Sequence, residues 1–468
     1  MSDHQPPAGP PDHPGDGEPD RPDDGDDAIN RLFRQFGLSG PQGQVDLGAL
    51  MSQVQGLLGA MGAQASASGV DWGRTKSLTR QYVASLGPDP SQTSLEARHV
   101  ADAVRLAATW LAPCTALPEA ELAAQAWSRA EWVEHSMDNW RAIAEPIVTH
   151  IADAMTGLMP PADRGDDLAD GSPLAGFRTM FTPMIRQAAG AMYSQNLAQA
   201  IGRLATTVLS GNDSGLPLID PPAVALLPTN VAAFQEGLQQ SADDVRLYLA
   251  LREVARQRLF ASAPWLGTQV LALIEHYASA IVIDADALHH EIDLQDLDSL
   301  TPQRLAQASQ ALQGRLFSPA RTPDQDAILE RLETLTALIE GWVETVVATA
   351  AAPWMPEVAA LGEMIRRRRA AGGPAEAMLS SLVGLQLRPR RLRDAVNLWT
   401  AVADQCGLEA RDALWRHPDA VPTSADLDDI IGFVQRQNAP EATMDDLDAQ
   451  LQRLLEQWDS PGAPGAAA

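Results

Sequence analysis

The sequence predicts a mainly α-helical protein, a multi-helix body with at most a small extended segment near residues 216–230. From Trp72 onward apolar residues recur at helical spacing, and proline or glycine clusters cut these runs into helix-length pieces. The stretch that reads as extended is Leu216 to Asn230, proline-rich with short apolar bursts such as Ala223 to Leu227. With 468 residues, 45% of them hydrophobic, the chain has material for one large helical body or two to three domains.

Residues 1–30 hold nine acids and one base, Arg21, among seven prolines, which predicts a disordered acidic tail. Residues 31–70 read as a mobile linker region carrying two short amphipathic pieces, Ile29 to Phe36 and Leu47 to Leu58. Residues 71–240 form an N-terminal helical part. Here Ser94 to Leu111 carries apolar residues at Val100, Val104, Leu106, Ala107 and Leu111, and Glu119 to Met137 carries Leu122, Ala126, Ala130 and Trp132 at helical spacing. A helical run from Leu174 ends near Leu209, before the turn cluster Ser210 to Gly215.

Residues 241–457 form a second helical part. Ser241 with Asp243 and Asp244 makes a favourable helix start, predicting a helix to about Phe260, which Pro264 stops. Gly267 to Ile283 is a second helix. Asp324 to Ala348 is a long one, whose stripe Ile328, Leu332, Leu335, Ile339, Trp342 and Val346 must face a core. Arg366 to Arg369, a Gly372-Gly373-Pro374 turn and helical text over Ala375 to Leu387 and Arg390 to Cys406 follow. Residues 458–468 are a second disordered tail.

The formal net charge of −27 disfavours nucleic acid and anionic membrane as partners. No secretory leader pattern and no uninterrupted apolar span occur, so the sequence predicts a cytoplasmic protein without a membrane span. Two cysteines, Cys114 and Cys406, far apart, provide neither a disulfide framework nor a cysteine-based zinc site.

The chemistry centres on Arg252-Glu253-Val254-Ala255-Arg256, inside the helix that starts at Ser241. In a His-Glu-x-x-His site the two imidazoles, four residues apart on one helix face, hold zinc, and the glutamate acts as general base for the metal-bound water. Arginine stands at both ligand positions here, and a guanidinium offers donors but no lone pair.

The longer segment Arg252 to Leu266 resembles the signature of a bacterial family of zincin-like metallopeptidases, His-Glu-x-x-His-x-x-x-Phe-x-x-x-Pro-Trp-Leu. Glu253, Phe260, Pro264, Trp265 and Leu266 stand at its anchors. Leu338-Ile339-Glu340-Gly341-Trp342-Val343 resembles the family's downstream Glu-Gly-Trp element, and Leu385 to Arg393 and Asp412-Ala413-Leu414-Trp415 are similar to further family text. The likeness runs roughly from Trp72 to Phe433. It implies a zincin-like helical fold and a zinc-dependent hydrolase, with Glu253 as general base and Glu340 as third ligand. Arg252 and Arg256 occupy the degenerate ligand positions.

Two functions are compatible with this pattern. One is a metal-dependent hydrolase whose ligand set is not apparent, with Glu253 polarising water. The other is a noncatalytic helical scaffold that binds an unidentified peptide or protein in the inherited cleft. The four residues also have alternatives: Glu253 as a surface glutamate pairing with Arg256 or Gln257, and Glu340 as part of a solvated stripe with Glu333 and Glu344. A third alternative is an ion cluster in which Glu340 and Glu253 neutralise both arginines where a metal would sit. His289-His290-Glu291 lacks a second histidine at helical spacing and Asp284-x-Asp286 lacks a calcium loop's glycine, so neither predicts a metal site. Arg366 to Arg369 and Arg388 to Arg393 read as docking points for acidic segments of this chain.

Overall fold

The computed structural model describes residues 69–157, 190–191, 193–280, 322–370, 391–438 and 452. All lie in a unit spanning Ala65–Ala468; a second unit, Met1–Gln64, lies outside the described residues. So do both tails, most of the linker, His289-His290-Glu291, Asp284-x-Asp286 and Leu385 to Arg390.

Helices dominate. In chain order they are α1 (Trp72–Ser85), α2 (Ser94–Leu111), α3 (Arg129–Gly157), α4 (Pro228–Gln235), α5 (Ala242–Ser262), α6 (Trp265–Ser279), α7 (Pro323–Ala351), α8 (Val358–Ala370), α9 (Leu392–Cys406), α10 (Leu408–Ala413), α11 (Ser424–Asp428) and α12 (Ile430–Asn438). Residues 193–205 are also helical. Two strands occur among the described residues, β1 (Ala124–Ala126) and β2 (Val224–Leu226), and they pair in parallel, with Gln125 opposite Ala225. The mainly α-helical fold class predicted from periodicity is thus the observed one, and β2 lies inside the predicted extended segment.

One expectation is corrected. Glu119 to Met137 is not a continuous helix: residues 124–126 are strand β1, and α3 starts only at Arg129. A reciprocal cap sets that start, because Ser128 N–H donates to Glu131 Oε2 at 2.7 Å and Glu131 N–H to Ser128 Oγ at 3.2 Å. Asp89 accepts from the next two free amides, Arg129 and Ala130, at 2.9 and 2.8 Å. Upstream of that cap the small residues Ala124 and Ala126 pair with β2 instead.

α5 runs through the middle of the body. Its exposed start is capped by Ser241, whose Oγ accepts from Asp244 N–H at 3.1 Å, and every residue from Leu247 to Leu259 is buried. It packs along α2, α7 and β2. A helix enclosed on all sides needs no amphipathic stripe, which explains why charged residues sit on it without marking a solvated face. α7 lies across α5 and packs along α9, while α8 turns back against α7 and α5.

Among the described residues five tryptophans are fully buried, and three of these tie elements together through the indole N–H. Trp132 donates to Gly211 O at 3.0 Å, Trp342 to Asp412 Oδ1 at 2.8 Å, and Trp399 to Leu338 O at 2.9 Å. Trp399 also stacks on Trp415, with centroids 5.2 Å apart. No helix among the described residues is long and apolar enough to cross a membrane. Cys114 is buried, Cys406 half-buried, and both are free thiols.

Candidate functional site

Three pieces of chain converge on the middle of α5. The turn 210–215 is held beside it by β2: Gly211 N–H donates to Ala225 O and Leu227 N–H to Leu209 O, both at 3.0 Å. α7 presents Glu340 from one side, and the last turn of α8 presents Arg368 and Arg369 from another.

All four residues singled out in the sequence meet here. Arg252, Glu253, Arg256 and Glu340 are 3%, 0%, 1% and 3% exposed. Glu340 accepts from Arg252 Nη2 at 2.6 Å, from Arg256 Nε at 2.8 Å and Nη2 at 3.1 Å, and pairs with Arg369 Nη2 at 3.1 Å. Four N–H groups from three guanidiniums thus surround one carboxylate. Glu340 is not part of a solvated stripe.

Glu253 is equally committed. Its Oε2 accepts from Ser210 Oγ at 2.7 Å and lies 3.5 Å from Arg256 Nη1. Its Oε1 accepts from the backbone N–H and side-chain amide of Asn212, both at 3.1 Å, and from Gln257 Nε2 at 3.4 Å. Asn212 is fixed in turn by Leu218 N–H, which donates to its Oδ1 at 2.8 Å.

A third buried acid, Asp213, accepts from Arg368 Nη1 at 2.8 Å and from Leu209 N–H at 3.0 Å, while its carbonyl takes Arg369 Nη2 at 2.8 Å. Gly215, at φ 78°, completes the turn; a Cβ there would stand 3.0 Å from Glu340 Oε1, so the turn and the carboxylate approach each other only because no side chain intervenes. Within the cluster, Arg252 Nη1 is buried without a hydrogen-bond partner.

Electrostatics follows from burial and pairing together. Burial alone would raise the Glu340 carboxyl, but Arg256, Arg369 and Arg252 outweigh it and hold the group down at about 2. Asp213 is lowered too, with Arg368, Arg256 and Arg369 overcoming its burial. Burial opposes charge on Arg256, yet Glu340, Glu253 and Asp213 more than offset it, and its pKa rises. Glu253 goes the other way: burial dominates and raises it, against Arg256 and the donors from Ser210 and Asn212.

The residues present do not fit a zinc ion. A catalytic zinc needs about three protein ligands with free lone pairs. The two positions that would supply imidazoles supply guanidiniums, and Glu340 already accepts from both of them and is ion-paired with a third cation, Arg369. Glu253 has the raised carboxyl of a general base, but its oxygens are saturated and closed to solvent.

Sequence reasoning brought the two arginines, Glu253 and Glu340 into consideration but missed Ser210, Asn212, Asp213, Arg368 and Arg369. The visible signal was a polar turn cluster and an arginine run, with nothing local to say that they meet. The arginine run does dock on acids of its own chain. Arg366 pairs with Glu344 and with Glu363, Arg368 with Asp213 and Arg369 with Glu340.

The remaining motif residues shape the end of α5. Phe260 packs against the core, Pro264 caps α6, and Trp265 Nε1 donates to Trp415 O at 2.9 Å, so Phe-x-x-x-Pro-Trp-Leu here builds a helix–turn–helix joint.

No curated protein matches the chain significantly. Among solved structures, one from Chloroflexus aurantiacus, described as a candidate hydrolase with a novel fold, aligns with a TM-score of 0.54 at 17% identity. It covers 79% of this chain and 99% of that one. At that identity the likeness is one of fold. A family model described as zincin-like metallopeptidase matches residues 70–434, a range that holds the whole Arg/Glu cluster and the joint after it. The chain belongs to the zincin-like metallopeptidase family.

Proposed function

We propose that this chain is a metal-free member of its family, without peptidase activity, whose body acts as a noncatalytic scaffold binding a peptide or protein. The observation that carries this reading is Glu340, whose carboxylate accepts from Arg252 and Arg256 at 2.6 to 3.1 Å where a zinc site would need it to face a metal. Guanidinium charge takes over the structural part of the cation's role, neutralising the acids and joining α5 to α7 and α8. It supplies none of the Lewis-acid or water-activating part. The near-complete burial of the cluster supports the same conclusion, because a scissile bond would have no access to Glu253.

Elemental mass spectrometry on the full-length protein, purified without chelator or polyhistidine tag, tests this. Zinc well below one equivalent per chain is expected, with no hydrolysis of a generic peptide library. About one zinc per chain, with hydrolysis that a chelator abolishes, would establish the zinc-dependent hydrolase reading suggested by the family and by the description of the Chloroflexus structure. The double variant Arg252→His/Arg256→His is the companion experiment: acquisition of zinc and proteolysis would reveal a latent site, and we expect neither.

A further inference from the structure

A groove of about 590 Å³ lies between the start of α6, the first half of α7 and residues 418–425, which lead into α11. Trp265, Leu335, Leu338 and Val421 give it an apolar lining, and three exposed charged residues, Glu330, Arg331 and Asp419, border it. Its volume is many times the roughly 30 Å³ of a water molecule. Among the described residues nothing fills it.

The chain itself carries a segment suited to it. Residues 439–468 follow the end of α12 and lie beyond the range 70–434 that the family model matches. Within them Met444, Leu447, Leu451, Leu454 and Leu455 recur at helical spacing. At 3.6 residues per turn these five fall within an arc of about 100°, and every other position of 444–457 except Ala449 is polar. Gln452, the one residue of this stretch that the structure describes, is helical and exposed, and it falls outside the arc. A stripe this narrow and this apolar is stable in water only when it packs on an apolar surface.

Reach and charge favour the groove as that surface. α12 packs against α11, whose first residues form one wall. The nine residues of α12 carry the chain about 14 Å. The connector 439–443, when extended, spans up to about 17 Å. The stretch 444–457 therefore begins within reach of the groove, and as a helix it is about 21 Å long. Its acids Asp445, Asp446 and Asp448 have a counterpart in Arg331, and its one base, Arg453, has counterparts in Glu330 and Asp419. A short tether also holds the stretch at an effective concentration on the order of millimolar, so that a few seated side chains suffice. A free partner would need a stable interface of about 1,600 Å².

We propose that residues 444–457 fold back as a helix and seat their leucine stripe in this groove, so that the chain occupies its own docking surface. An outside peptide using the groove has to displace this helix first. The proposal goes beyond the scaffold reading and stands whether or not the Arg/Glu cluster holds a metal.

The test is photo-crosslinking in the full-length protein, with p-benzoylphenylalanine replacing Ala327 on the α7 wall or, in a second protein, Ala425 on the α11 wall. Both positions line the groove and are exposed, so either substitution leaves the core intact. After irradiation, crosslinked peptides are identified by mass spectrometry. A crosslink from at least one site to residues 444–457, within a chain of monomer mass, is expected. In Leu451→Asp/Leu455→Asp its yield should fall about tenfold or more, since charge replaces the seated stripe. Three outcomes would overturn the proposal: no crosslink to this stretch from either site, crosslinks only between chains, or an undiminished yield in the double variant.

Discussion

Glu340 carries more of the site than any other side chain, because three guanidiniums point at it and each is buried or nearly so. Removing its charge leaves them facing one another, with Glu253 and Asp213 to neutralise them. Breaking a buried pair by deleting one partner costs on the order of 3–5 kcal/mol, and Glu340→Gln should lose about that much in urea unfolding. A loss under about 1 kcal/mol would show the cluster to be solvated, contrary to its burial. The same residue gives the acid limb a direction. Its folded-state value of about 2 lies below the ordinary 4.5, so the folded protein binds fewer protons in that window. Its contribution is complete above about 4.5 and disappears as pH falls toward about 2. Glu253, raised by burial, acts oppositely: its contribution is full below the ordinary value and is lost as pH rises through its folded value. Stability of wild type minus Glu340→Gln, measured from pH 6 down to 2, should therefore stay level to about 4.5 and shrink below it; a difference independent of pH over the whole range would contradict the ion pairing.

At the scale of elements, close approach between helices decides which residues fit. Gly341 sits where α7 meets α9, and a Cβ on it would lie 2.7 Å from Ala395 Cβ and 3.0 Å from the backbone behind it. Gly341→Ala should force the helices apart and cost about 1–3 kcal/mol. An unchanged melting temperature would mean that α9 shifts freely, which its buried Ala395, Leu398, Trp399 and Val402 argue against. This contact also shows what the sequence discloses and what it hides. The Glu340-Gly341-Trp342 triplet is legible as a motif, and the apolar stripe of α7 is legible as a core face. The reason for the glycine is not, because Ala395 lies more than fifty residues on in the chain. Likewise α5 is legible from its Ser241 cap, its acids and the Pro264 stop. The strand at 124–126 is not, since Ala124-Gln125-Ala126 carries no pattern and pairing with 224–226 alone makes it a strand. Arg369 reads as one of four basic residues; only the fold shows that it, and not Arg367, points inward.

For the molecule as a whole, joints between distant segments matter more than any local element. Asp412 is one, linking Thr115 and Ala116 to Trp342 and Arg411 through five hydrogen bonds. Asp412→Ala strips acceptors from buried donors and leaves Arg411 unpaired, so a loss of about 3–5 kcal/mol is expected. Unfolding followed by circular dichroism and by tryptophan fluorescence should shift together, because this link spans most of the sequence; separated transitions would mean that the two ends unfold independently. The arginine cluster has a historical consequence as well. If the ancestral chain carried imidazoles at positions 252 and 256, a stepwise return passes through forms with one histidine and one arginine. Such forms lack a full ligand set and have also given up part of the guanidinium support for Glu340. Each intermediate would be less stable and still inert, so selection would have nothing to reward along the way. On the metal-free reading proposed above, loss of a metal would therefore behave as a ratchet.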